Sequence, residues 1–201
     1  MNGVGIGAHP GFMDLAGFGR KRMAVPRGTL QNQIRYQVAA SVGMARSVGA
    51  EVRHLKLHGA LANMVSEDEG LARDLYEAAL SVAPDLIVMV LAATAQERAV
   101  KSLGCKWAGE IFADRAYNDD ATLVDRSKPG AVIHDASTAA ARMVEMVKAG
   151  AIITESGKHI PTRIDTICLH GDTAEAVQIA TAVRKGLQDG GVTLAKFGGS
   201  V

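Results

Sequence analysis

Four short stretches of this chain set ionisable side chains at two-residue spacing among apolar ones. In His54-Leu55-Lys56-Leu57-His58 the two leucines alternate with His54, Lys56 and His58. Extended backbone turns successive side chains to opposite faces, so this pattern gives one apolar face and one face of two imidazoles and an ammonium. In Gly5-Ile6-Gly7-Ala8-His9, His9 shares a face with the two glycines, opposite Ile6 and Ala8. Glu110-Ile111-Phe112-Ala113-Asp114 places two carboxylates on one face. In Thr166-Ile167-Cys168-Leu169-His170-Gly171-Asp172, Ile167 and Leu169 face helices, His170 lies opposite, and Asp172 follows at the turn.

These types suit activation of a carbonyl group. Lys56 would act as electrophile, His9, His58 or His170 as acid or base, and Glu110 or Asp114 as base or orienter. A lysine between apolar residues of a central strand is costly to bury unless it is paired, which favours a site role for Lys56. Each residue also has a structural reading: a histidine at a strand end commonly serves only as a hydrogen-bonding group, and Asp172 suits a helix N-cap. The recurrence of the pattern at four strand ends favours a site. The histidines and carboxylates have the chemistry to hold a divalent metal, but no HxxxH or HExxH spacing supports one. There is no P-loop, no Gly-x-Ser-x-Gly elbow, and Gly3-Val4-Gly5-Ile6-Gly7 fails the dinucleotide spacing.

The elements that position these residues are legible in the hydrophobic pattern. Strands are expected at 4–8, 52–57, 86–91, 106–112 and 166–169, with a weaker one at 131–134. Residues 86–91 are apolar on both faces, as in a strand covered on both sides of a parallel sheet. Helices are expected from 29 to 48, from a Ser66-Glu67-Asp68-Glu69 capping box to before Pro84, and from a Thr94-Ala95-Gln96-Glu97 box to Gly104. Two more run from 137 to 148, stopping at Gly150, and from an Asp172-Thr173-Ala174-Glu175 cap to about 188. Alternating strands and helices predict an α/β fold in one domain, 1–201. In a (βα) barrel the strand ends converge at the C-terminal mouth, whereas in an open sheet they meet at a switch point. The polar stretch 114–129 is long for a loop and reads as functional. Met143 and Met146 read as core filler.

Composition bounds the function. The 201 residues carry 22 basic and 21 acidic side chains, a net charge of +1, with 48% hydrophobic and 4% aromatic content. Near-neutral charge without a basic stripe argues against nucleic acid as a partner. No apolar run approaches the roughly 20 residues a bilayer needs, and the N-terminal residues lack the pattern of a signal peptide. Cys105 and Cys168 form no framework and read as reduced, buried thiols, so a cytoplasmic location is expected.

Longer motifs carry a resemblance. Gly7-Ala8-His9-Pro10-Gly11-Phe12 with Asp14-Leu15-Ala16-Gly17-Phe18-Gly19-Arg20, and Lys56-Leu57-His58-Gly59-Ala60-Leu61 with Asn63, resemble the LamB/YcsF family. So do Glu110-Ile111-Phe112-Ala113-Asp114-Arg115-Ala116-Tyr117, Leu123-Val124-Asp125-Arg126-Ser127, Pro129-Gly130-Ala131-Val132-Ile133-His134-Asp135 and Asp165-Thr166-Ile167-Cys168-Leu169-His170-Gly171-Asp172. The resemblance implies a (βα) barrel-like fold of the glycoside hydrolase/deacetylase type. It implies a subunit of an ATP-dependent 5-oxoprolinase, with ATP as co-substrate, opening 5-oxo-L-proline to L-glutamate together with two other subunits; a homo-oligomer is compatible with it. The family's polar positions that this sequence retains are His9, Lys56, His58, Glu110, Asp114, Arg115, Arg126, His170 and Asp172; by residue chemistry, Lys56, His58, Glu110, Asp114, His170 and Asp172 are expected as catalytic residues and His9, Arg115 and Arg126 as substrate-binding ones. Family members begin with Asp-Leu-Asn-x-Asp-x-Gly-Glu and Cys-Gly-x-His-Ala-Gly-Asp strands that this sequence does not contain, so the barrel is expected to lack its first two strands. The alternatives are a metal-dependent deacetylase or amidohydrolase on the same barrel, and a non-catalytic scaffold subunit or inactive remnant.

Overall fold

The computed structural model describes residues 4–201; the reading of Met1-Asn2-Gly3 as no part of a signal peptide lies outside the described residues. By its contacts the chain divides into two compact units. The first takes residues up to Val90, Ala95–Ala108 and Gly198–Val201, and the second takes Leu91–Thr94 and Gly109–Phe197.

The first unit contains β1 (Ile6–Ala8), α1 (Arg27–Ser47), β2 (Val52–Lys56), α2 (Gly59–Glu67), α3 (Glu69–Leu80), β3 (Ile87–Leu91, whose last residue belongs to the second unit) and α4 (Ala95–Leu103). β1 pairs parallel with β2, and β2 with β3, in the register Gly7↔His54 and Leu55↔Val88. Every residue of β3 is buried, as its unbroken apolar run predicts. Leu30, Ile34 and Val38, spaced four apart on α1, join Leu71, Leu75 and Tyr76 of α3 and Leu55 and Leu57 in the core. The expected capping box is displaced. Asp68, not Ser66, caps α3 by accepting the Leu71 N–H at 2.9 Å, because 59–67 is itself a helix and Ser66 donates back to the Asn63 carbonyl.

The second unit holds most of β4 (Trp107–Phe112), then α5 (Ala136–Ala149), β5 (Ala151–Ile153), β6 (His159–Pro161), β7 (Thr166–Cys168) and α6 (Ala176–Asp189). β4 and β7 pair parallel, Glu110 opposite Thr166 and Phe112 opposite Cys168, while β5 and β6 form an antiparallel hairpin. α5 packs on α6, burying Met143 and Met146 with Ile179, Val183 and Leu187. Gly150 ends α5 in the left-handed region, as its sequence position predicts.

Three expectations are corrected here. α6 opens at Ala176 with Glu175 as its N-cap, so Asp172 sits in the preceding bend and is not the N-cap of α6. Stretch 131–134 forms only an isolated bridge between Arg115 and Val132. Leu169 lies past the end of β7 and is 37% exposed, so it is not the buried strand residue that alternation predicts. Of the two thiols, Cys168 is buried and Cys105 only partly so; both are free.

Candidate active site

The expected site residues fall into two groups, one in each unit. In the first unit, β1 and β2 end side by side and release His9 and His58 into adjoining loops. Gly7 lies against the His54 ring, so a side chain there would have to displace that ring. The His58 N–H donates to the Pro10 carbonyl at 2.8 Å and ties the two strand ends together.

The side chains then form a chain of bonds. His9 Nδ1 lies 2.8 Å from the Lys56 carbonyl, His9 Nε2 lies 3.0 Å from His58 Nδ1, and His58 Nε2 lies 2.7 Å from the Phe18 carbonyl. Carbonyl oxygens only accept, so each outer ring nitrogen donates a hydrogen. The bond between the rings needs one more. That hydrogen would lie between His9 Nε2 and His58 Nδ1. The loop that supplies the Phe18 carbonyl is fixed by Asp14, which accepts the Gly17 N–H at 2.8 Å. Phe18, at a φ of 52°, sets its ring edge-on to His58, and Arg20 lies over the ring's face. Neighbouring His54 is held below the ordinary imidazole range, first by burial and then by the charges of Arg53 and Lys56. Lys56, whose own carbonyl is the His9 partner, is half-buried at the end of β2.

In the second unit the central contact is Asp114 Oδ2 to His170 Nδ1, at 2.7 Å. The carboxylate accepts the Nδ1 hydrogen, which leaves Nε2 as the ring nitrogen that can take up a proton, with Asp114 placed to stabilise the imidazolium that results. Asp114 is 6% exposed and its second oxygen, Oδ1, is buried without a hydrogen-bond partner among the described residues. A buried carboxylate oxygen left unmatched is costly. Phe112 lies beside the His170 ring, with centroids 5.8 Å apart. Glu110 is 3% exposed on β4.

The backbone around Asp114 is held by buried groups. Arg115 is 3% exposed and directs its guanidinium to main-chain carbonyls: Nε donates to Ala131 and Nη2 to Val124, at 3.3 and 2.6 Å. Burial, then the charge of Arg126, lowers its pKa to about 10, against the opposing pull of Asp114, Tyr117 and Asp125. Tyr117, fully buried, accepts the Phe112 N–H at 2.7 Å, and burial pushes its phenol far above the usual range. Arg126 and Asp172 are exposed.

The structure thus joins His9 to His58 and Asp114 to His170, and turns Arg115 toward main-chain carbonyls. Sequence reading missed Tyr117 and Arg142 as groups that hold the Asp114 segment. Arg142's one signal was its place beside the buried α5 stripe of Ala139, Met143 and Met146. Among the described residues, no group of three or more His, Cys, Asp and Glu side chains is placed to hold a metal ion, and no helix is long and apolar enough to cross a membrane.

Comparison with known proteins adds kinship to this geometry. A family model described as the LamB/YcsF family matches residues 1–200. The chain is 67% identical to the A-type subunit of 5-oxoprolinase from Ruegeria pomeroyi over 98% of its own length and 78% of that protein's. It is 46% identical to the A-type subunit of 5-oxoprolinase from Nitrobacter hamburgensis over 97% of this chain and 77% of the relative. Among solved structures it is similar to the lactam utilization protein from Thermus thermophilus, at 36% identity and a TM-score of 0.86, covering 97% of this chain and 78% of that one.

Proposed function

The chain belongs to the LamB/YcsF family, and from that premise we propose that it is the A-type subunit of a 5-oxoprolinase, hydrolysing the lactam of 5-oxo-L-proline to L-glutamate. The observation that carries the reading is the identity to proteins named as A-type subunits of 5-oxoprolinase across nearly the whole chain. Relatives named as subunits imply a complex with further chains, and we take these to be two, with ATP consumed by the complex as co-substrate and the assembly working in the cytoplasm.

The geometry supports roles for individual residues. A lactam is a stabilised amide, so its opening requires a nucleophilic water, stabilisation of the oxyanion and a proton for the departing ring nitrogen. His170 Nε2, oriented by Asp114, takes the proton from water as the oxygen bonds to the carbonyl carbon, and returns a proton to the nitrogen as the C–N bond breaks. Glu110, buried on β4 of the same unit, is the further carboxylate we assign to the site. In the first unit, Lys56 and the His9–His58 pair offer hydrogen bonding and, from the lysine, positive charge to an anionic group bound in that unit. Arg126, exposed and cationic, serves carboxylate or phosphate binding, and Arg115 holds the Asp114 segment. Asp172 lies on the same turn as His170.

The test is reconstitution with the partner subunits, 5-oxo-L-proline and ATP, followed by glutamate release. Release that requires this chain and falls with Lys56→Ala supports the reading. Release that proceeds equally without the chain would sink it.

A further inference from the structure

Arg142 lies on α5, outside every motif linked above to chemistry, yet it grips the segment that carries Asp114. Its Nη1 donates to the Ala113 carbonyl at 3.4 Å and its Nη2 to the Arg115 carbonyl at 3.2 Å. The two acceptors flank Asp114, so one planar guanidinium spans the residue whose carboxylate orients His170. We propose that Arg142 is a positioning residue for the Asp114–His170 pair, setting the angle at which Asp114 presents Oδ2 to the imidazole; this rests on the role proposed above for that pair.

Three features support it. First, the Asp114 segment is held from several sides by groups that cannot easily move. Tyr117 anchors Phe112, Arg115 bonds Val124 and Ala131, and the Asp114 carbonyl accepts the Ile133 N–H at 2.9 Å. Arg142 supplies the bonds to the carbonyls on either side of Asp114 itself. Second, the fixed fork of a guanidinium matches two carbonyls in a way that a lysine ammonium, a point donor, does not. Third, keeping a half-buried cation on main-chain acceptors is costly, and burial lowers the Arg142 pKa despite the raising influence of Tyr117, Asp114, Glu145 and Glu155. A salt bridge on the surface would satisfy the same side chain more simply, so its inward placement serves the segment it holds.

Arg142 also lines a cavity of about 230 Å³ with Ile133, Glu145, Met146, Thr154 and Glu155. Truncating it to alanine therefore opens a space continuous with an existing cavity and large enough for a free guanidinium ion. That gives the experiment a readout that structural damage alone would not produce.

The complex reconstituted with Arg142→Ala is assayed for glutamate release at saturating 5-oxo-L-proline, with thermal unfolding measured on the same protein. The expected result is a kcat at least tenfold down, KM within about threefold, and recovery of several-fold that saturates with added guanidinium at tens of millimolar but not with ammonium or sodium at equal ionic strength. A displacement of catalytic groups by a fraction of an ångström to one ångström has this order of effect. Wild-type kcat in Arg142→Ala, or a folded variant whose loss guanidinium does not relieve, overturns the proposal. If Arg142→Ala does not fold, Arg142→Lys decides. A folded Lys variant is expected to lose kcat, since its ammonium cannot span both carbonyls, and full kcat would overturn the assignment. Asp114→Asn run in parallel separates the two levels: activity surviving there defeats the pair's role, whereas activity lost there but kept in Arg142→Ala defeats only Arg142's.

Discussion

Gly59 sits at the joint between the His9–His58 dyad and the loop that completes it, and its replacement by alanine makes a quantitative prediction. Its φ is +57°, and a Cβ added there would lie 2.5 Å from the Gly19 carbonyl oxygen. That same oxygen accepts the Ala60 N–H at 2.9 Å. Left-handed backbone costs an alanine roughly 1–2 kcal/mol. Relieving the contact means moving the Gly19 carbonyl by at least about half an ångström, which loses or weakens its hydrogen bond for a further ~1–2 kcal/mol. Gly104→Ala is the matched control, because Gly104 has a φ of +62° with nothing within 4 Å of the added carbon. It incurs only the first cost. Gly59→Ala should therefore melt roughly 2–8 °C below Gly104→Ala, at about 2–4 °C per kcal/mol for a chain of this size. The shift also draws the Phe18 carbonyl, one residue away, off His58 Nε2, so glutamate release by the reconstituted complex should fall at least tenfold in Gly59→Ala and remain near wild type in Gly104→Ala. Equal melting of the two variants would refute the close approach of the two loops. Full activity in Gly59→Ala would refute the claim that this approach positions His58.

Two further variants probe the second unit. Tyr117→Phe removes the acceptor of the buried Phe112 N–H at a cost of ~1–3 kcal/mol, seen as a melting point lower by roughly 2–12 °C; an unchanged melting point would mean the phenol contributes nothing to holding β4. Asp135, the N-cap of α5, is held down to about pKa 2, first by the Ser137 hydroxyl and then by bonding from Thr138. Its folded pKa lies below the unfolded value of about 3.9, so its contribution is present above about pH 4 and fades as pH falls through about 2. Urea midpoints from pH 5 to pH 2.5 should therefore decline more steeply for wild type than for Asp135→Asn; parallel declines would contradict the assignment.

Much of the strand framework was written in local pattern. Residues 86–91 needed no partner to be read as a buried strand, and Leu55 and Leu57 are buried opposite His54, Lys56 and His58, as alternation requires. Helix 59–67 escaped because Leu61 and Val65 alone make too short a periodic signal, so the Asp68 cap was displaced onto Ser66. The hairpin of β5 and β6 escaped because three-residue strands carry almost no periodicity. Alternation likewise put His9 and His58, and Asp114 and His170, at strand ends, but it carries nothing about which loop carbonyls meet them. The bonding of the dyad depends on the Phe18 and Lys56 carbonyls, and the guanidinium of Arg115 finds its partners at Val124 and Ala131, both contacts that only the folded loops create.

The central claim, that Asp114 and His170 form an acid–base pair for lactam hydrolysis, is tested most directly by one rate. Glutamate release from 5-oxo-L-proline is measured in the reconstituted complex carrying Asp114→Asn, an almost isosteric change that keeps the segment's shape. Loss of acid–base assistance predicts release slowed by at least about a hundredfold, with the melting point changed by only a few degrees. Release within threefold of wild type would contradict the account.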